Sequence, residues 1–304
     1  MSNLKTCSVP VGRFAPSPSG RMHLGNIFTA VLSWLSVKAR GGKWILRIED
    51  LDPQRSKFEY ARLIEDDLIW LGLEWDEGGI EGKGPNGPYM QSIRHDLYQA
   101  ALQKLMESGL CYPCTCKRAD ILAIRAPHES DGRVVYKGTC RPDVMPAVYH
   151  DKFGAAVRLA VPDKDIAFSD RICGPQSVNL ARHCGDFIVR RGDGAWAYQL
   201  AVVVDDALMG VSEVMRGDDL LLSAAQQIYL YQLLGYDIPE FAHVPLICND
   251  KGMRLSKRDS SLSMESLRNT HSPEQILGIV AHKASILPSP TPISLPDLLS
   301  RVKP

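Results

Sequence analysis

The chain has 304 residues, 45% of them hydrophobic, which is enough to bury the core of one large domain or two smaller ones. Lysine plus arginine equals aspartate plus glutamate, at 35 each, so a global positive field is excluded and any contact with nucleic acid must use a local patch. No apolar run reaches the roughly 20 residues that span a bilayer and the start lacks the apolar segment of a signal peptide, so we expect a cytoplasmic protein without membrane contact.

A strand, a loop, a helix and a second strand follow one another at the start of the chain. Apolar residues cluster over 9–14, recur at helical spacing over 23–40, and return as a short run over 43–49. Gly41 and Gly42 separate the helix from the second strand. This order predicts a βαβ unit and, with it, an α/β fold built on a parallel nucleotide-binding sheet.

The remaining chain predicts further helices and strands around a cysteine-rich segment, 111–141, which we interpret as an insert. We expect helices at 57–71, 92–109, 219–234 and after Ser272, and strands at 155–161, 187–190 and 243–248. The last residues, 288–304, include five prolines and are predicted to be loosely tethered.

The first loop, 13–26, is rich in proline and small residues and lies between a strand and a helix start. Backbone N–H groups and the positive helix end favour an anion at such a turn. Gly25 would let a nucleotide lie close to the helix, and His23 could donate a hydrogen bond to a phosphate. The alternative is a proline-rich connection in which His23 only caps the helix or packs against it.

A second polar loop, 249–258, contains glycine and several basic residues and follows a predicted strand. Such a loop can close lysine charge over a triphosphate, where each charge-assisted hydrogen bond contributes about 1.5–3 kcal/mol. Taken alone, the same composition is also typical of a solvated surface loop.

Four of the eight cysteines lie in the segment 111–141, and without an export signal this clustering favours metal binding over disulfides. Cys114, Cys116 and Cys140 could converge on a tetrahedral zinc at about 2.3 Å per sulfur. Chemistry alone leaves the fourth ligand open between Cys111, His128 and a phenol, which binds metal only when its pKa is depressed. Reduced structural cysteines are the alternative.

The insert is also locally basic. Residues 114–141 include six basic and three acidic residues, which gives the segment a net charge of +3. The basic residues are Lys117, Arg118, Arg125, Arg133, Lys137 and Arg141, and the acidic residues are Asp120, Glu129 and Asp131. This segment is therefore the predicted RNA-facing patch.

Both loops resemble the signatures of class I aminoacyl-tRNA synthetases. The segment RFAPSPSGRMHLGN, residues 13–26, is similar to the HIGH signature and its preface in the glutamate branch, with Asn26 in place of the second histidine. The segment RLSKR, residues 254–258, is similar to the KMSKS signature. The resemblance implies a Rossmann-like class I catalytic domain that uses ATP with Mg²⁺.

The resemblance also implies roles for individual residues. His23 and Lys257 would be catalytic, with Lys257 stabilising the pyrophosphate leaving group as the amino-acid carboxylate attacks the α-phosphate, so that catalysis consists of positioning and charge. The implied ATP-binding residues are His23, Gly25, Asn26, Ser256 and Lys257.

A glutamate pocket needs cations for a carboxylate and an anion for the α-ammonium. Arg13 and Glu49 end the first and second predicted strands, at the sheet edge where ligands of open α/β folds bind, and Arg216 lies in the segment 214–219. Each of the three alone is also consistent with a surface ion pair. The stretch GDFIVRRGDGAWAYQLAVVVDD, residues 185–206, resembles the core of glutamyl synthetases and implies that the Tyr198 hydroxyl completes the pocket. The expected L-glutamate contacts are Arg13, Phe14, Ala15, Pro16, Ser17, Glu49, Tyr198 and Arg216.

The order Cys-x-Cys followed by Tyr-x-x-x-Cys resembles the zinc site in the acceptor-binding insert of the short glutamyl-queuosine enzymes. It implies a structural Zn²⁺ on Cys114, Cys116, Tyr136 and Cys140. Only 47 residues follow Lys257, too few for helical anticodon-reading domains. The resemblance then implies that glutamate is transferred to the queuosine base at the wobble position of tRNA(Asp), by a protein that we expect to be a monomer.

We therefore expect four segments and no anticodon-binding domain: the two halves of the catalytic domain over 1–110 and 185–262, the zinc-containing acceptor-binding-like insert over 111–184, and a short helical C-terminal part over 263–304. Two other functions stay open. One is a truncated glutamyl-tRNA synthetase that charges an ordinary acceptor end. The other is a catalytically idle, zinc-stabilised RNA-binding protein.

Overall fold

The protein is represented by a computed structural model that describes residues 9–116, 135–145, 154–247 and 262–303. The strands are β1 (Val11–Phe14), β2 (Lys43–Leu46), β3 (Glu77–Gly78), β4 (Cys111–Cys114), β5 (Ala156–Leu159), β6 (Asp165–Asp170), β7 (Gly174–Asn179), β8 (Phe187–Arg190), β9 (Glu213–Gly217) and β10 (Glu240–Val244). The helices are α1 (Leu24–Lys38), α2 (Phe58–Trp70), α3 (His95–Glu107), α4 (Leu180–His183), α5 (Tyr198–Leu208), α6 (Leu221–Leu234), α7 (Met264–Thr270), α8 (Pro273–Lys283) and α9 (Leu295–Ser300).

Two compact units interleave along the sequence. Unit 1 comprises residues 1–93, 208–220 and 239–304, and unit 2 comprises residues 94–207 and 221–238. Each unit is held together by pairings between distant parts of the chain.

Unit 1 contains a parallel sheet with the strand order β3-β2-β1-β9-β10. Helix α1 connects β1 to β2, so the predicted βαβ unit and parallel α/β sheet are confirmed. Its apolar stripe, with Ile27, Phe28 and Val31 at 0–3% exposure, packs in the core of the unit. This burial supplies the main driving force for closing the helix onto the sheet.

The central strand β9 was not predicted, because its five residues include a glutamate and an arginine that mask the apolar pattern. Strand β10 spans Glu240–Val244, so it starts and ends earlier than the strand that the sequence predicts over 243–248. The strand ends at Val244 because Pro245, which follows, has no N–H to donate to a neighbouring strand.

The C-terminal residues correct another expectation, since the tail is packed rather than loosely tethered. Ser294 caps α9, with Pro296 in its first turn, and Ile293, Leu295 and Leu298 are buried in the core of unit 1. The prolines do not prevent this burial. Backbone N–H groups in the first turn of a helix have no intrahelical acceptor, so a proline there costs the helix no hydrogen bond.

Unit 2 contains the antiparallel sheet β4-β5-β8 and the hairpin β6-β7. A buried ion pair joins Arg94 to Asp205, with Arg94 Nε 2.6 Å from Asp205 Oδ1, and Tyr98 donates to the other carboxylate oxygen at 2.9 Å. Among the described residues, the helices are all too short or too polar to cross a membrane.

Candidate functional site

His23 caps the first helix of the sheet. Its Nδ1 accepts from the backbone N–H of Gly25 at 3.1 Å, while its own backbone N–H donates to Asn26 Oδ1 at 3.1 Å. Because Nδ1 accepts, the neutral ring carries its proton on Nε2. The Nε2–H, on the side of the ring opposite the cap, can then donate a hydrogen bond. The capping alternative for His23 and the phosphate-donor role are therefore compatible.

Asn26 replaces a signature histidine and closes this reciprocal cap, in the position that glutamate or glutamine occupies in a capping box. Gly25 packs closely against the cap, since a Cβ at this position would lie 3.1 Å from Cε1 and Nδ1 of His23. A side chain at position 25 would require the imidazole to shift by a few tenths of an ångström.

The backbone of the first loop continues the pairing of β1 with β2. Phe14 O accepts from Arg47 N at 3.0 Å, and Pro16 O accepts from Glu49 N at 3.0 Å. Residues 13–17 and Glu49 therefore lie side by side at the carboxyl edge of the sheet, as the parallel topology requires.

Arg13 and Arg216 also lie at this edge, and each residue is about 4% exposed. Arg13 Nη1 donates to the carbonyl oxygen of Met215 at 3.5 Å, next to Arg216 on β9. Two guanidinium groups and the Glu49 carboxylate thus belong to one region of unit 1, with the charges that an amino acid bearing two carboxylates and one ammonium requires.

Arg47 is a further residue of this region that the sequence reasoning missed. Its side chain is 0% exposed, and Nη2 lies 3.1 Å from Glu49 Oε1. A charged pair two residues apart in an apolar strand run places both side chains on one face, and this spacing is the signal that could have identified it. The pairing orients the Glu49 carboxylate.

Not all predicted contacts can be placed together. Tyr198 is the first residue of α5 in unit 2 and is 37% exposed. Ser256 and Lys257 lie outside the described residues. Ser263 and Met264, near the start of the next described segment, lie close to His23. Ser263 forms an antiparallel bridge with His23, and Met264 N donates to Met22 O at 2.8 Å.

Three thiols converge in unit 2. The sulfur atoms of Cys114, Cys116 and Cys140 lie within 4.8 Å of one another, and the Tyr136 hydroxyl is 3.6 Å from Cys114 Sγ and 3.9 Å from Cys116 Sγ. Tetrahedral bonds of about 2.3 Å to sulfur and about 2.0 Å to oxygen imply S–S and S–O separations of about 3.8 and 3.5 Å. The four side chains therefore fit one zinc ion.

Cys111, the alternative fourth ligand, is not part of this group among the residues that the structure describes. It is 0% exposed, and burial raises the pKa of its thiol to about 12. His128, the other alternative, lies outside the described residues.

The thiols of the cluster differ in acidity. Burial disfavours ionisation of Cys140, but hydrogen bonds from Tyr136, the Thr115 backbone and the two other thiols lower its pKa to about 7. Burial and the hydrogen bond with Cys140 raise the pKa of Cys116 to about 11, and burial also raises the pKa of Tyr136. A divalent cation at the centre would favour the deprotonated form of all four ligands.

Tyr136 is held by several contacts. Its backbone pairs with Gly185, where a Cβ would come within 2.2 Å of Tyr136 O and where φ is +64°, so only glycine fits. The Arg158 guanidinium lies 3.6 Å from the centre of the Tyr136 ring, and Arg158 Nη1 donates to Asp186 O at 2.6 Å. The phenol is therefore fixed in the direction of the thiols.

A cleft of about 390 Å³ adjoins this cluster in unit 2. Its walls include Tyr136, three basic residues, Lys137, Arg141 and Arg182, and the acidic Asp186, whose carboxylate lies 3.3 Å from Arg141. Lys137 and Arg141 belong to the predicted basic patch, and the other basic members of that patch lie outside the described residues. Three basic side chains thus outnumber one acidic side chain in the cleft, and the resulting positive charge is compatible with contact to a nucleic-acid backbone.

A parallel sheet with a capped helix start is the architecture expected of a class I aminoacyl-tRNA synthetase catalytic domain, and comparison with known proteins shows that family. The family model for the catalytic domain of class I tRNA synthetases (E and Q) matches residues 9–281. The glutamyl-Q tRNA(Asp) synthetase of Symbiobacterium thermophilum is 48% identical over 95% of this chain and 90% of its own length, and that of Nitratidesulfovibrio vulgaris is 46% identical over 92% and 88%.

A crystal structure of glutamate-tRNA synthetase from Elizabethkingia anophelis is similar in fold, with a TM-score of 0.80 and 29% identity. It aligns with 97% of this chain, which covers 66% of that longer protein. The chain therefore belongs to the class I tRNA synthetases for glutamate and glutamine, in the glutamyl-Q tRNA(Asp) synthetase branch.

Proposed function

We propose that the protein activates L-glutamate with ATP and transfers it to the queuosine base at the wobble position of tRNA(Asp). The observation that supports glutamate activation best is the position of Arg13, Glu49 and Arg216 at one sheet edge, beside the helix start capped by His23. Arg13 and Arg216 would bind the carboxylates, Glu49 the α-ammonium, and residues 14–17 the substrate backbone. Tyr198 would contribute its hydroxyl on the strength of its sequence match.

The activation step needs no covalent nucleophile from the protein. An oxygen of the glutamate α-carboxylate forms a bond to the α-phosphorus of ATP, the bond from that phosphorus to the bridging oxygen breaks, and pyrophosphate leaves with the electron pair. His23 Nε2–H and the helix start would hold the phosphates, while Gly25 and Asn26 shape the helix start. Ser256 and Lys257, with Mg²⁺, would neutralise the charge on the leaving group.

The cysteine cluster would hold a structural Zn²⁺ through Cys114, Cys116, Tyr136 and Cys140. With four protein ligands the ion has no open position, so its contribution is to fold stability. The zinc would fix the segment that carries Lys137 and Arg141, and we assign RNA binding to this basic surface.

Two assays test the proposal in sequence. Pyrophosphate exchange should occur with glutamate, in the absence of tRNA, and not with the other amino acids; no exchange with any amino acid would identify the idle RNA-binding module instead. Purified tRNA(Asp) with and without queuosine should then differ in glutamate acceptance. Equal charging of the two tRNA forms would overturn the queuosine assignment.

Removing the phosphate-binding side chains should slow adenylate formation without unfolding the protein. We expect His23→Ala and Lys257→Ala to lower the exchange rate by about 10- to 1,000-fold, since each removes charge-assisted hydrogen bonds to ATP. His23→Asn, which can still cap the helix, separates the two roles of His23. A normal exchange rate in Lys257→Ala, or loss of the folded circular dichroism spectrum, would contradict the assignment.

Cys114→Ser should release zinc and impair RNA transfer more than glutamate activation. The metal content, measured by atomic emission, is expected to fall from one zinc per chain to well below one. Cys173→Ser is the matched control, because Cys173 is exposed in unit 2 and lies outside the cluster. Tyr136→Phe should lose zinc to a chelator faster than the unmodified protein, and unchanged zinc retention would remove Tyr136 from the ligand set.

A further inference from the structure

His243 lies beside Arg216 in the interior of unit 1. The two residues are register partners on the neighbouring strands β10 and β9, and they are 0% and 4% exposed. Arg216 Nε lies 3.1 Å from His243 Nε2, which is a hydrogen-bonding distance. Neither sequence motif includes His243.

The direction of this hydrogen bond follows from the chemistry of the two groups. An arginine Nε–H can only donate, so His243 Nε2 accepts and the neutral imidazole carries its proton on Nδ1. A guanidinium binds a carboxylate either through Nε and one Nη or through both Nη groups. Because the Nε–H points to His243, the geometry favours the second mode.

Further contacts restrict the Arg216 side chain in the same orientation. Its Cζ lies 5.4 Å from the centre of the Phe241 ring, and Nη2 donates to Leu220 O at 3.4 Å. The Phe241 and His243 rings are stacked, with centres 6.1 Å apart and planes inclined by 15°. The rings of His243 and Phe241 therefore both contact the Arg216 guanidinium from β10.

We propose that His243 is a positioning residue for glutamate binding: it accepts the Nε–H of Arg216 and so directs both Nη groups of that side chain toward a glutamate carboxylate. This role rests on the proposed function of Arg216 as a glutamate ligand. It predicts that His243 controls the affinity for glutamate, acts through Arg216, and has little influence on ATP.

The test compares two substitutions that differ in hydrogen bonding. In His243→Leu the acceptor is lost, and the KM for glutamate in pyrophosphate exchange should rise about 10- to 100-fold, with the KM for ATP changed less than about threefold. In His243→Gln the amide oxygen can reach the same Nε–H, so most of the affinity should return. Val244→Ala, a buried change on the same strand, is the control for a general loss of packing, and should leave the KM for glutamate unchanged.

A double-mutant cycle with Arg216→Lys then shows whether His243 acts through Arg216. In the lysine background, which has no Nε–H, His243→Leu should change the KM for glutamate less than about twofold. Equal effects of His243→Leu in both backgrounds, or an equal rise in the KM for ATP and glutamate, would overturn the positioning role alone. If Arg216→Lys itself leaves glutamate binding unchanged, the proposed pocket fails and the role of His243 fails with it.

Discussion

Arg216→Ala is expected to lower kcat/KM for glutamate in pyrophosphate exchange by about 10²- to 10⁴-fold. A bidentate guanidinium–carboxylate contact comprises two charge-assisted hydrogen bonds of about 1.5–3 kcal/mol each, and about 1.4 kcal/mol corresponds to a factor of ten. The loss should fall mainly on the KM for glutamate if Arg216 binds substrate and transition state equally. Both kcat/KM and KM for glutamate are measured by steady-state pyrophosphate exchange at varied glutamate and saturating ATP.

Two further variants define the cause of the loss. Arg216→Lys keeps the charge without the planar fork and should lie between the alanine variant and the unmodified protein. Arg62→Ala removes an exposed arginine that lies over the Phe58 ring on α2 of the same unit, and should leave exchange unchanged. Full activity in Arg216→Ala would show that this side chain does not bind glutamate.

The second large effect is expected on stability. Asp205→Ala should lower the free energy of unfolding by about 3–5 kcal/mol, because it leaves the buried guanidinium of Arg94 and the Tyr98 hydroxyl without their common carboxylate. The midpoint of urea unfolding should fall accordingly, with the slope unchanged for the cooperative step that contains unit 2.

An exposed pair of the same chemistry is the control. Arg191 Nη2 lies 2.6 Å from Asp193 Oδ2, as short as the contact of Arg94 with Asp205, but its side chains are more than half exposed. Asp193→Ala should therefore change the free energy of unfolding by less than about 1 kcal/mol. Equal losses in the two variants would show that burial does not decide the strength of the Arg94 contact.

The local elements near the first loop could be predicted because their signals are local. Helical spacing of apolar residues, the glycines that end the helix and the short apolar run after them predicted β1, α1 and β2 to within a few residues. Strand β9 was missed since it is buried by its neighbours on both sides, so tertiary context rather than its own pattern makes it a strand. The packed tail was missed for a similar reason, because Leu295 and Leu298 are buried by residues of the unit 1 core that are distant in sequence.

The sequence by itself determined the family and the chemistry offered: the histidine and glycine of the first loop, the arginines and glutamate for an amino acid, and the three cysteines for a metal. These follow from residue type and spacing, which are properties of the printed chain. Only the tertiary structure decided which of them meet. Strand pairing brings residues 13–17 to Glu49, the fold turns the Tyr136 hydroxyl toward the thiols, and burial on adjacent strands joins Arg47 to Glu49 and His243 to Arg216. Strand register and side-chain burial depend on residues distant in sequence, so local patterns do not contain them.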